Sequence, residues 1–384
     1  MKKAMKVLLI LFGASAGFGA GIGIVTMLER IPDLSRGGLM GTYIAAFLLL
    51  YAFFLIELVM HEAGHLLFGL MTGWRFVSFR VANILWHRGP DGRIRRAKFS
   101  LAGTAGQCLM APPPWQEEGF PCALYNLGGV IVNLATAIVC GLLAWACWDH
   151  PFAALVLAEA AAVGLILGVT NGVPLPGLTV DNDGSNLLSM LRSRDARLAL
   201  WLQMSVAAAQ AEGLRLRDMP DEWFPPVPTD AMDNALTASV AVFAANRRMD
   251  ALDLPGAEEA IRTLLRGKSA ILPIHRALLT LDGACCELLA GRPADLTQAL
   301  DTPAVQQVVK AMKAYPTVLR AQFITALLRD RDEAAASARQ AAFDKAAATY
   351  PYPQDLISER ALMAMAREAA AGKDDTDDAS SSQV

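Results

Sequence analysis

The chain has 384 residues, room for two or three units, with 54% apolar and only 18% charged residues. So little charge is unusual for a protein wholly surrounded by water. The net charge of -3, with no basic run interleaved with aromatics, argues against a nucleic-acid partner.

Four apolar spans follow one another in the first half. The first, from about Val7 to Met27, comes after Lys2, Lys3 and Lys6. Its apolar stretch exceeds a usual signal-peptide core and ends at no clear cleavage site, so it reads as a retained anchor, with a cleaved signal as the alternative. Gly13, Ala16, Gly17, Ala20 and Gly21 would let another helix approach it closely. The others run from Leu39 to about Met71, from about Leu127 to Trp148 and from about Phe152 to Val173. Each reaches the roughly 20 residues needed to cross hydrocarbon.

The second span contains His61-Glu62-Ala63-Gly64-His65. Residues at i and i+4 share a helix face, so the two imidazoles can address one metal ion. Glu62, rotated by roughly 100°, can reach a water on that metal. Two histidines bonded to neighbouring helices are the alternative, but that leaves Glu62 as a third costly ionisable group in the same turn. Zinc is therefore the expected cofactor.

Between the second and third spans, Arg75 to Trp86 is rich in β-branched and aromatic residues. Pro90-Asp91-Gly92 signals a turn and Arg93 to Leu101 suits a return strand, giving a small hairpin or sheet. Arg75, Arg80, Arg88, Arg93, Arg95, Arg96 and Lys98 make this segment basic. By the positive-inside rule it and the N-terminus face the cytoplasm, as does the C-terminal half, and the histidine motif sits toward that side.

Zinc needs a third protein ligand and an open position for water. Of five histidines, His87 lies in the basic segment, His150 on the opposite membrane side and His275 far along the chain. A carboxylate from Asp181-Asn182-Asp183-Gly184, at the cytoplasmic end of the fourth span, is the better candidate. The same four residues would also serve as a turn and helix cap. Asn133, within the third span, is either a hydrogen bond between helices or a donor that orients substrate or stabilises an oxyanion.

From about Asp195 charge returns, and Pro220 to Pro228 reads as a linker. Helical periodicity then marks segments near 232–248, 256–267, 274–291, 304–314, 317–329, 333–348 and 355–370. Phe243 to Leu265 and Phe323 to Ala347 each read as a helix, a polar turn and an Ala-rich helix, suggesting tetratricopeptide-like pairs. An irregular helical domain accounts for the pattern as well. Lys373 to Val384 is acidic and Ser-rich and is expected to be disordered. The six cysteines show no CxxC spacing and read as reduced packing residues.

The motif set resembles the site-2 protease family of intramembrane zinc metalloproteases. That family carries HExxH in one transmembrane helix and, in a later one, an Asn-x-x-Pro stretch followed by Asp-Gly. Here Asn171-Gly172-Val173-Pro174 precedes Asp183-Gly184, at a spacing a few residues longer than the family's. The resemblance gives Asp183 the third-ligand role, with Asp181 as the alternative. A family Gly-Pro-x-x-Asn motif has its counterpart in Gly129-Val130-Ile131-Val132-Asn133, with Val130 in place of Pro. The resemblance covers about residues 39–191. It implies zinc on His61, His65 and Asp183, Glu62 as catalytic base, Asn133 aiding zinc in stabilising the oxyanion, and a membrane-anchored protein or peptide as substrate.

The expected architecture is thus an α-helical polytopic membrane protein, about four transmembrane helices with a small β insert, followed by a soluble all-α domain. Its parts are a membrane domain over 1–195, a linker over 196–230, a cytoplasmic tetratricopeptide-like domain over 231–372 and a disordered tail over 373–384. The expected location is a bacterial cytoplasmic membrane with both termini inside, and the helical domain offers a surface for a cytoplasmic protein partner. Two rival readings are a catalytically inactive adaptor and an intramembrane hydrolase of non-peptide substrates.

Overall fold

The computed structural model describes residues 39–100, 104–174, 181–228, 231–267 and 269–381, together with Gly21 and Thr26. The chain divides into two compact units. One comprises the chain to Ala82 together with Ala105–Arg197, and the other Asn83–Thr104 together with everything from Leu198 onward.

The first unit is built on three helices: α1 (Leu39–Met71), α2 (Cys122–Ala146) and α3 (Pro151–Gly172). Each contains a stretch long and apolar enough to cross a membrane. The expected first span lies outside the described residues, apart from Gly21 and Thr26. Tyr43, Phe47, Leu48, Tyr51, Leu55 and Leu67 of α1 are exposed, whereas its Glu57, His61, Glu62 and His65 are buried. This reverses the arrangement that water selects and suits a surround of hydrocarbon, where polar groups must find partners inside the bundle.

Small residues set how closely the helices approach. An added Cβ on Gly64 of α1 would collide with the carbonyl of Gly128 on α2, and one on Gly128 with that of Gly64. Backbone therefore meets backbone at this crossing, the approach that small residues permit between membrane helices. Beyond the end of α1, Trp74 stacks on Tyr125 of α2 with ring centroids 4.1 Å apart and donates from Nε1 to the Pro121 carbonyl.

Two strands complete the unit, β1 (Arg75–Val81) and the strand Gly106–Ala111, which is β4 in chain order. They pair antiparallel from Arg75↔Ala111 to Val81↔Gly106, with a bulge between Phe76 and Ser78. The strand expected over Arg75 to Trp86 instead breaks at Ala82, whose φ of 51° ends the run. β2 (Ile84–Arg88) and β3 (Ile94–Lys98) form an antiparallel hairpin, and the four strands make one sheet in the order β3-β2-β1-β4. The hairpin turn is the expected one, closed by Gly92 at φ 77° and by a bond from the Gly89 N–H to the Arg93 carbonyl. β4 was not expected, because Gly106-Gln107-Cys108 carries neither alternation nor branched residues.

After α3 come α4 (Asp183–Arg192) and α5 (Arg194–Ala211). The segment from 196 to 211, expected as linker, is helical, because Ala199, Leu200, Leu202 and Val206 supply a buried face. Two short 3-10 turns follow, Leu216–Asp218 and, inside the proline-rich stretch, Asp221–Trp223, with Trp223 and Phe224 packed against Val206, Ala209 and Met219.

The rest of the second unit is all helix: α6 (Ala235–Asp250), α7 (Leu254–Arg266), α8 (Pro273–Leu289), the short α9 (Asp295–Ala299), α10 (Pro303–Ala311), α11 (Pro316–Leu328), α12 (Glu333–Ala347) and α13 (Leu356–Ser381). Every helix expected from periodicity is present, and α9 is added. Local chemistry marks the starts. Asn234, Asp253 and Asp332 each accept a bond from a backbone N–H three residues on, and α7, α8, α10 and α11 carry proline in the first turn. These helices enclose one apolar core that includes Ile261, Leu279, Phe323, Ile324 and Phe343. The tail expected to be disordered continues α13 as far as Ser381, carried on by the helix-favouring Ala369-Ala370-Ala371.

Candidate metal site

The site lies where α1, α2 and α4 meet. His61 and His65 occupy successive turns of one face of α1, and both are buried. Asp183 is the first residue of α4 and is brought to them by Asn182. The Asn182 amide donates to the carbonyls of Thr170 and Val173, at 2.7 Å each, tying the start of α4 to the end of α3. Its Oδ1 accepts from the Ser185 N–H at 3.0 Å as the helix cap. Asn126 of α2 donates to the Asp183 carbonyl. The cap expected from Asp181 to Gly184 falls to Asn182, and the next residue, Asp183, turns its carboxylate to the two histidines.

The geometry converges on one point. Oδ2 of Asp183 lies 3.1 Å from Nε2 of His61 and 3.6 Å from Nε2 of His65, and the two Nε2 atoms are 3.2 Å apart. Among the described residues, these three side chains form the group able to hold a metal ion, and Asp181 is not part of it. His87 lies on β2, His150 precedes α3 and His275 lies on α8, so none joins the cluster.

The remaining ring nitrogens fix the protonation of each imidazole. Nδ1 of His65 is 2.8 Å from the Tyr125 carbonyl, an acceptor only, so this nitrogen carries the proton. Nδ1 of His61 is 2.7 Å from Oδ1 of Asn133. Both rings then present lone pairs at Nε2 toward the Asp183 carboxylate. Three converging electron pairs repel one another unless a positive charge sits among them. A proton on one imidazole would satisfy one contact, whereas a metal ion would satisfy all three. Two imidazoles and a carboxylate, with each outward N–H held by an oxygen, are a donor set that could hold a metal ion.

Glu62, next in the chain to His61, is buried and its carboxylate packs against Gly106 of β4, where a side chain would collide with it. Arg80 of β1 is buried and donates to the Gly106 carbonyl at 3.3 Å, placing a guanidinium at this same point of the strand. Gly129 opens the room for His61, since a Cβ there would overlap the imidazole.

Asn133 is completely buried. Its Nδ2 donates to Oε2 of Glu57 at 2.7 Å and to the Glu57 carbonyl at 3.0 Å, while its Oδ1 faces His61. This is the hydrogen bond between helices of the two readings offered by the sequence. With its amide donors engaged at Glu57, no donor is left to aim at an oxyanion. Sequence reasoning missed Glu57, Tyr125, Asn126, Arg80 and Gly106. Glu57 alone left a signal, an ionisable residue in an apolar span exactly one turn before His61.

Compared with protein-family models, curated proteins and solved structures, the chain matches none of them.

Proposed function

We propose that this chain is a membrane-embedded zinc metalloprotease of the site-2 type, cleaving membrane-spanning or membrane-associated protein segments. The observation that carries the reading is the convergence of both His Nε2 atoms and the Asp183 carboxylate on one point inside an apolar helix bundle. His61, His65 and Asp183 would hold the ion. Zinc bound there supplies Lewis acidity and lowers the pKa of a bound water toward 7. Glu62 accepts the proton of the attacking water and passes one to the leaving amine. Arg80 and the Gly106 backbone hold β4 against Glu62.

A peptide bond in a helix is shielded by its own hydrogen bonds, so a membrane-spanning substrate must be cut in extended form. β4 pairs with β1 along one edge, and its other edge carries no strand among the described residues. A substrate segment added to that edge would pass beside Glu62 as an extended strand. In this reading the basic residues around β1 to β3 and both termini face the cytoplasm, in a bacterial cytoplasmic membrane. The tetratricopeptide-like second unit there recruits substrate or a partner protein.

Comparing membrane peptides in cells expressing wild-type protein or Glu62→Gln tests the reading. Fragments present only with the wild type support it. Identical peptide profiles, with metal bound in both, would overturn it in favour of an adaptor acting through its helical unit.

A further inference from the structure

We propose that Glu57 is a positioning residue for the metal site, acting on His61 through the side chain of Asn133. The inference rests on the metal-binding reading above and goes beyond its ligands and base.

Glu57 stands four residues before His61, one turn along the same face of α1, and is 1% exposed. A carboxylate placed there in an apolar span is costly unless it is used. It faces an amide that is itself buried, and the two groups settle each other. An Asn amide can be turned either way round, so its neighbours decide which end is nitrogen. Here Glu57 presents two acceptors to one end, its carboxylate Oε2 at 2.7 Å and its backbone carbonyl at 3.0 Å. Only an NH2 group fits against both. The other end of the amide is then oxygen, and it lies 2.7 Å from Nδ1 of His61.

That oxygen can be met only by a protonated Nδ1. The chain of bonds from Glu57 through Asn133 therefore sets the tautomer of His61 and turns its Nε2 lone pair toward Asp183 and His65. His65 needs no such relay, because a backbone carbonyl, which cannot rotate into a donor, accepts its Nδ1–H. The two ligands of one motif are thus held by different devices. The held proton also makes the opposite nitrogen a better ligand, the usual effect of a carboxylate behind a metal-bound histidine.

Titration of full-length detergent-purified protein with Co(II), whose visible absorption reports ligand geometry, tests this with two substitutions. Glu57→Leu fills the space and removes the side-chain acceptor, while Glu57→Gln keeps an acceptor oxygen. The expectation is that Glu57→Leu weakens Co(II) binding by about 10-fold or more and shifts the visible bands, as loss of an outer-shell partner does. Glu57→Gln should retain the wild-type bands. Wild-type affinity and bands in Glu57→Leu would overturn the proposal and leave the metal site standing. Failure of the wild type to take up Co(II) would overturn both. Should Glu57→Leu not fold, nitrogen-15 NMR of metal-free, histidine-labelled wild type decides. A proton on Nδ1 of His61 supports the proposal, and one on Nε2 overturns it.

Discussion

Gly64 of α1 and Gly128 of α2 meet backbone to backbone, and a Cβ on either would collide with the carbonyl of the other. The crossing lies one residue from His65 on α1 and one residue from Gly129 on α2, the glycine that makes room for the His61 ring. The separation of the two helices is therefore also the placement of the site. Gly64→Ala should force α1 and α2 apart at a cost of about 1–3 kcal/mol, the range for overpacking. Gly129→Ala should displace the His61 ring and lower metal content with a smaller effect on folding. Thermal unfolding and metal analysis of the two purified variants separate these outcomes.

The choice between two neighbouring carboxylates is equally open to measurement. Asp183 reaches both imidazoles and Asp181 is outside the cluster. His61→Ala and Asp183→Asn should each remove most bound metal, whereas Asp181→Asn should keep it. Full occupancy in both His61→Ala and Asp183→Asn would refute the ligand assignment.

Glu62→Gln should retain metal, because the side chain is not among the three converging ligands. Its cleavage of a membrane-anchored substrate should fall by at least the roughly 10²–10⁴-fold that general base catalysis contributes. Metal analysis and a gel-based cleavage assay on the same preparation check both halves. Loss of the metal with the activity would make Glu62 a ligand and not a base.

The parts of this site that could be read in the sequence are those whose chemistry follows a chain period. His61 and His65 declare themselves by i, i+4 spacing, and the helices of the second unit by their apolar stripes, caps and leading prolines. Composition and spacing narrow the third group to Asp181 to Gly184, and the Asp-Gly pattern of the resemblance favours Asp183 over Asp181. The contacts that place Asp183, Asn182 bonding to Thr170 and Val173 at the end of another helix, have no local signature. Arg80 and Gly106 could not be found at all. They act through a strand pairing of β1 with β4, which has no local signature in Gly106 to Ala111. For Asn133 the residue was visible but its partner was not, and the partner decides which way the amide faces.

Deep in the second unit, Arg320 of α11 is 2% exposed and ties three elements together. It donates from Nε to Glu359 of α13 at 2.7 Å and from a terminal nitrogen to Asp282 of α8 at 2.5 Å, with the Cys285 sulfur at 2.9 Å. Removing the guanidinium alone strands two carboxylates in the interior. Arg320→Met should therefore destabilise this unit by about 3–5 kcal/mol, the penalty for an uncompensated buried charge. Replacing Asp282 and Glu359 by Leu in the same variant should recover much of the loss. Denaturant unfolding of the single and triple variants checks the difference, and an equal loss in both would show that shape and not charge governs the cluster.

Asp355, in the turn before α13, gives the second unit a pH dependence of definite sign. Burial raises its carboxyl to about 7, with the Gln210 amide opposing and the charges of Asp250 and Glu359 adding to the rise. The unfolded chain releases this proton near the ordinary value of 3.8, so between 3.8 and 7 the folded state holds a proton that the unfolded state has lost. Stability from this group is complete below 3.8, falls as pH rises and is lost once pH passes 7. Asp355→Asn removes the ionisation while keeping the side chain's shape and an acceptor for Gln210. Compared with wild type, the variant should gain in melting temperature between pH 5 and pH 8. Thermal scans of the full chain at the two pH values measure that gain, and an offset that does not change with pH would show that Asp355 ionises in the folded protein as it does in water.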